Sequence, residues 1–221
     1  MQKFVTTAPI TAVLAVPAGR IQVIAADRAD TTVEVLPADP ARRRDVQAAE
    51  QTTVAHADGV LRIGTGDSGN RLLGSSGAVE VTVQLPAGSR VEATSAACAF
   101  RGVGRLGDVV LDGAYRGTKI DEAGEVRVTA VEGDVEVGRL GGSAEISTTR
   151  GHIRIAEAKC GAVVLRTQSG DITIGAATGV SAALDAGTGH GRVSNALKND
   201  GTPQLDVRAT TSNGDITARS L

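Results

Sequence analysis

Apolar and polar residues alternate with a period of two through most of this chain. Val126 and Val128 alternate with Arg127 and Thr129, and Val135 and Val137 flank Glu136. Such alternation sets one face against a core and the other in water, the pattern of half-buried β-strands. A glycine breaks the pattern at intervals, followed by a polar and then a β-branched residue. The motif reads Gly133-Asp134-Val135, Gly151-His152-Ile153, Gly170-Asp171-Ile172, Gly191-Arg192-Val193 and Gly214-Asp215-Ile216. Its glycines are 18, 19, 21 and 23 residues apart. A period near twenty is that of a solenoid, in which each repeat is one coil laid on the last.

The repeats predict seven coils: Arg90–Gly107, Asp108–Gly124, Glu125–Gly142, Ser143–Gly161, Ala162–Val180, Ser181–Gln204 and Leu205–Leu221. Most hold two strands each. Val126, Val128, Val135, Val137, Ile146, Ile153, Ile155, Val163, Leu165, Ile172, Ile174 and Val207 are the expected core. At a spacing of about 4.8 Å per coil the stack is a rod on the order of 34 Å long. The sixth coil is the longest, and Asn195 to Pro203 read as a protruding loop.

Residues 1–89 are β-rich and less regular. Expected strands are Thr11–Val16, Arg20–Ile24, Thr32–Leu36, Thr52–Ala57, Val60–Thr65 and Val79–Leu85. Pro-Ala-Gly turns recur at Pro17-Ala18-Gly19 and Pro86-Ala87-Gly88. Asp39 as N-cap with Pro40 at the first helical position predicts a short helix reaching Glu50. Gly64 to Gly77 read as a mobile glycine-serine loop. The expected organisation is an all-β chain: residues 1–89 a cap or lobe, residues 90–221 a parallel β-helix-like solenoid with coils of about 17–24 residues.

Composition sharpens this. Aromatic residues make up only 1% of the 221 residues, against 41% hydrophobic overall. A coil interior takes aliphatic side chains and has no need of the aromatic area that ordinary cores use. A net charge of −2 supplies no basic field for nucleic acid. Arg42-Arg43-Arg44 is the single basic run and reads as a solvated face. Ile10 to Val16 is the longest apolar stretch near the N-terminus, too short for a membrane span. Cys98 and Cys160 match no metal spacing. Two lone cysteines and no leader lead to the expectation of a cytoplasmic protein.

Candidate chemistry is sparse. Calcium-binding solenoids need Gly-Gly-x-Gly-x-Asp in each half coil, whereas the motif position here carries His152 and Arg192 in two coils. A carbohydrate-active β-helix is the enzymatic alternative; it needs paired carboxylates in a cleft, and Asp134, Asp171 and Asp215 recur instead as turn residues. Gly64-Thr65-Gly66-Asp67-Ser68-Gly69 lacks the Gly-Lys-Ser/Thr ending of a phosphate loop. His56, His152 and His190 lie in no nucleophile context. No catalytic residue, cofactor, metal or small-molecule substrate is expected.

Several elements together resemble the bacterial β-strand-repeat proteins known as putative adhesins, a family of unknown function related to the toastrack domains of envelope-stress proteins. They are the Pro86-Ala87-Gly88 turn before Arg90-Val91, the repeated Ser/Thr-x-Gly-Asp-Ile/Val pattern, the Leu184-Asp185…Gly191-Arg192-Val193 coil, and the closing Thr211-Ser212-Asn213-Gly214-Asp215-Ile216. The resemblance spans nearly the whole chain. It implies a β-solenoid with a structural or interaction role, and it brings no catalytic residues with it.

Two features are candidates for interaction. If the motif glycines stack, Asp134, His152, Asp171, Arg192 and Asp215 form a column whose signs alternate once His152 is protonated. The last coil leaves an uncapped strand edge at Asp215, Ile216, Thr217 and Arg219, and this edge or the flat face next to it is expected to meet a protein partner or a second copy.

Overall fold

The computed structural model describes residues 1–65 and 77–221. Most of the expected loop Gly64–Gly77, with most of the glycine-rich stretch that begins at Gly64, lies outside the described residues. In chain order the elements are β1 Gln2–Val5, β2 Thr11–Ala15, β3 Ala18–Ala26, β4 Asp30–Pro37, α1 Arg43–Gln51, β5 Thr52–Ala57, β6 Val60–Thr65, β7 Val79–Pro86, β8 Arg90–Arg105, β9 Val109–Ala123, β10 Val126–Glu132 and β11 Val135–Leu140. There follow β12 Ala144–Arg150, β13 Ile153–Ala158, β14 Gly161–Ser169, β15 Ile172–Ala176, β16 Ala182–His190, β17 Val193–Ala196, β18 Leu205–Asn213 and β19 Ile216–Ser220. The predicted coils match these strands closely. The first two coils run as single long bent strands, β8 and β9, and the other five as strand pairs.

Every rung-to-rung contact in the stack is a parallel ladder, as a solenoid requires. Val126 pairs with Ala144 and Val128 with Ile146; Val135 pairs with Ile153 and Val137 with Ile155. Like residues lie over like, so the inward side chains form continuous aliphatic columns. One runs Val135, Ile153, Ile172, Ile216. All twelve expected core residues are buried. Each contributes roughly 1.5–3 kcal/mol through burial.

Chain order and stacking order differ at the C-terminal end. β14 pairs with β18, and β18 in turn pairs with β16. Likewise β15 pairs with β19, and β19 with β17. The last coil is therefore inserted beneath the sixth, and the sixth is the outermost rung. The physical reason lies in the inward residues. Val207, Ala209, Ile216 and Ala218 of the inserted rung occupy the columns that Leu184, Ala186, Val193 and Asn195 occupy in the outer one. Ala218 is 1% exposed in its column. Asn195 in a covered rung would bury an amide at a cost of a few kcal/mol; at the end it is exposed, and its Oδ1 accepts the N–H of Leu197.

The same exchange occurs at the N-terminal end, and the stack does not begin at Arg90. β2 and β3 lie parallel on β8, and β6 and β7 lie parallel on the far side of β2 and β3. Residues 1–89 thus add two rungs to the parallel stack before closing it. β5 pairs antiparallel with β6, β4 with β7, and β1 with β4. Phe4 of β1 and His56 of β5 meet with ring centroids 5.4 Å apart. The inward residues of the outermost parallel rung here, Leu61, Ile63, Val81 and Val83, are all buried.

The short helix starts later than its Asp-Pro signal suggested. α1 begins at Arg43 with Arg42 as its N-cap and no side-chain cap hydrogen bond. Asp39 instead builds the preceding turn, where its carboxylate accepts the N–H of Ala41 and pairs with Arg42 at 3.1 Å. Buried Asp45 ties the helix to the stack by accepting the N–H of Ala78 at 3.0 Å.

Candidate functional site

The motif glycines turn the chain from one strand of a rung to the other. Gly151 has φ +144° and Gly170 +149°, in the region open to glycine. A Cβ added at Gly170 would sit 2.1 Å from the carbonyl oxygen of Gly151. The glycine is therefore fixed both by its backbone conformation and by the close approach of the rung beneath.

The polar residue after each glycine does the next part of the work. Asp134 Oδ1 accepts the N–H of His152 at 2.8 Å, and His152 Nδ1 accepts the N–H of Asp171 at 3.0 Å. Asp171 Oδ1 accepts the N–H of Asp215 at 2.8 Å, and Asp215 Oδ1 accepts the N–H of Arg192 at 2.8 Å. The side chain at each corner thus satisfies a backbone donor of the next rung. Because Nδ1 of His152 is an acceptor, the neutral ring carries its proton on Nε2.

The five residues of the expected column do come together, in the order Asp134, His152, Asp171, Asp215, Arg192. That order corrects the expected alternation of sign, since Asp171 and Asp215 are neighbours. The column is a hydrogen-bond ladder with a direction, and it ends on Arg192, which has donors and no acceptor.

A second ladder was missed from sequence. Threonines three residues before the motif glycines, at Thr148, Thr167, Thr211 and Thr188, stand in one column. Thr167 donates its hydroxyl to the carbonyl of Gly151, Thr211 to that of Gly170 and Thr188 to that of Gly214. The corner carbonyls that cannot join the regular ladder are satisfied in this way. The repeated Thr-x-x-Gly spacing was the available signal.

The expected open edge is corrected. Ile216, Thr217 and Arg219 belong to β19, which is paired on one side with β15 and on the other with β17. Ile216 is 0% exposed, and Asp215 lies inside the corner ladder. Among the described residues β16 pairs only with β18 and β17 only with β19, and all four residues of β17 are exposed.

The outer faces are laced with ion pairs between rungs. Arg101 meets Asp121 at 2.7 Å, Arg139 meets Glu122 at 2.7 Å, and Lys119 meets Glu136 at 3.1 Å. Exposed pairs of this kind contribute about 0–1 kcal/mol each. Their main effect is to leave a surface of mixed charge. A shallow groove of about 560 Å³ crosses one face over Gly138 and Ala156, between Glu136, Glu157 and Arg219. Among the described residues no group of His, Cys, Asp and Glu is placed to hold a metal, and no helix is long and apolar enough to cross a membrane. Both cysteines are free. Cys98 is buried, its thiol donates to the carbonyl of Val16, and burial pushes its pKa up, which makes it an inert core residue.

A parallel β-solenoid with exchanged terminal rungs and side-chain ladders at its glycine corners is the class of protein these features define. The chain belongs to the Toastrack DUF4097 family, whose family model matches residues 13–219. The resemblance read from the corner motifs is thereby borne out, and the match runs across both the N-terminal rungs and the rest of the stack. Solved structures similar to this chain include a putative adhesin from Bacteroides fragilis, with 16% identity, a TM-score of 0.47, and coverage of 98% of this chain and 95% of that one. Another is a putative adhesin from Parabacteroides distasonis, with 14% identity, a TM-score of 0.41, and coverage of 98% and 95%. A putative cell adhesion protein from Clostridium sporogenes has 12% identity, a TM-score of 0.36, and coverage of 100% and 98%. No curated protein matches the chain.

Proposed function

We propose that this toastrack protein is a non-enzymatic scaffold, structural or protein-binding, that works in the cytoplasm. One observation carries the reading. The polar residues that recur along the chain are already engaged in holding rungs together: Asp134, Asp171 and Asp215 each accept a backbone N–H from the neighbouring rung. A carbohydrate-active enzyme would need two carboxylates facing each other across a cleft; these lie along one corner of a rod. What the chain offers to other molecules is outer face and rung end. The exposed free thiol of Cys160 supports a reducing compartment.

Photocrosslinking from the outer faces tests the proposal. A photoreactive residue placed at exposed Thr129 is expected to capture one recurring protein in cells, and fractionation should find the adduct in the cytoplasm. Release of sugar from a polysaccharide by the purified protein, lost in Asp171→Asn, would overturn it.

A further inference from the structure

We infer that the β16/β17 end of the stack is a docking surface for a second copy of this chain, joined to it antiparallel about Ala186. The inference deepens the scaffold reading by naming one partner and one surface.

The end rung is unfinished. Its inward residues stand in the same columns as those of the rung beneath, Leu184 over Val207, Ala186 over Ala209 and Val193 over Ile216. The lower three are 0% exposed, whereas Val193 is 46% exposed and Leu184 and Ala186 are only partly buried. The opposite end differs: antiparallel strands flank its last parallel rung, whose inward residues Leu61, Ile63, Val81 and Val83 are buried. The two ends are therefore unlike, and the contact inferred is one between two like β16/β17 ends. Such a contact closes on itself about a two-fold axis.

The direction of pairing follows from the backbone and from Arg192. Leu205 donates its N–H to the carbonyl of Ser181. By the alternation of a parallel ladder, Ala183, Asp185 and Gly187 then turn their backbone groups towards β18, while Leu184, Ala186 and Thr188 turn theirs outward. A further parallel rung would bring a corner N–H to the position of residue 192, where Arg192 has no acceptor to offer it. An antiparallel strand makes no such demand. Centred on Ala186, it sets Ala186 against its own copy and Leu184 against Thr188, so that all three outward residues are paired.

Charge agrees with this arrangement. Asp200 is held at the start of β16, where its N–H bonds to Ser181 Oγ at 3.1 Å, and Arg192 stands at the far end, its guanidinium 3.9 Å from the Asp215 carboxylate and its side chain 90% exposed. Antiparallel docking brings the Arg192 end of each copy to the Asp200 end of the other. Lys198 shares that loop and offsets part of the attraction. A nine-residue strand of about 30 Å, with sheets about 10 Å apart, gives an end of roughly 300 Å². That is below the roughly 800 Å² per partner of a standard interface, so the association is weak and needs high concentration.

Sedimentation equilibrium from micromolar to millimolar protein tests the inference. The wild-type mass is expected to rise from 22.3 kDa towards twice that value. Val193→Lys, at a half-exposed position, should hold the monomer mass with an unchanged circular dichroism spectrum. Ala186→Pro, which removes the central outward N–H, should do the same. A wild-type mass that stays at the monomer value throughout would overturn the inference, as would a dimer that survives Val193→Lys. Neither result bears on face-directed crosslinking, so the two readings fail separately.

Discussion

The backbone N–H of Arg192 donates to Oδ1 of Asp215 at 2.8 Å, although Asp215 lies 23 residues further along the chain and one rung deeper in the stack. This bond is the last step of a ladder that starts at Asp134. It records both the exchange of the last two rungs and the point at which the corner acceptors run out.

If the ladder acts through acceptor atoms, Asn should replace Asp and Ala should not. Asp171→Ala leaves the N–H of Asp215 without its partner and is expected to cost about 1 kcal/mol. Asp171→Asn keeps an acceptor oxygen in place and should recover most of that. Urea denaturation of the two variants decides the matter; an Asn variant as unstable as the Ala variant would assign the effect to charge.

Gly170→Ala should be far more damaging than an ordinary surface substitution. The new Cβ would stand 2.1 Å from the carbonyl oxygen of Gly151, at a residue whose φ is +149°. Strain of this kind costs on the order of 1–3 kcal/mol before the clash is counted. The expected result is a lowered thermal midpoint, and an unchanged midpoint would refute the close-approach argument.

Thr118 offers the opposite prospect. It occupies an inward column between Phe100 and Val135, and its buried Oγ1 has no partner among the described residues. Thr118→Val keeps the shape and removes the unsatisfied hydroxyl, so a gain of about 1 kcal/mol is expected. Loss of stability in denaturant would mean that the hydroxyl is satisfied in solution.

Acid should loosen the N-terminal closure before the core. Arg28 and Lys3 hydrogen-bond the Asp30 carboxylate and hold its pKa at about 2, below its ordinary value of 3.8. The folded value is the lower one, so the contribution is fully present above the unfolded pKa and is lost as pH falls through about 2. Amide protection in β1 and β4, relative to the intrinsic exchange rate at each pH, should fall over that window, and in Asp30→Asn it should be lower than in the wild type at neutral pH as well. Equal protection in the two proteins at neutral pH would remove Asp30 from the closure.

Much of this protein was legible in its residues. Period-two alternation and the recurring glycine fixed strands, coil boundaries and core, because burial on one face and a turn conformation open only to glycine are local demands. The corner column was legible for the same reason: one position per coil, always after the glycine. Stacking order was not, since a parallel rung accepts any neighbour with a similar aliphatic row. Only the packed structure decides that Val207 and Ile216 lie in a covered rung while Leu184 and Val193, in the same columns, stand in the end rung. Two residues carried a faint signal of it. Asn195 would bury an amide in any covered rung, and Arg192 can take no donor from a rung above, so that coil is the one that can stand last. The edge expected at Ile216 is covered because β19, although last in sequence, lies between β15 and β17 in the stack. Sequence determines the coil and its corners, whereas the burial of whole rungs against each other determines their order and which end is left open.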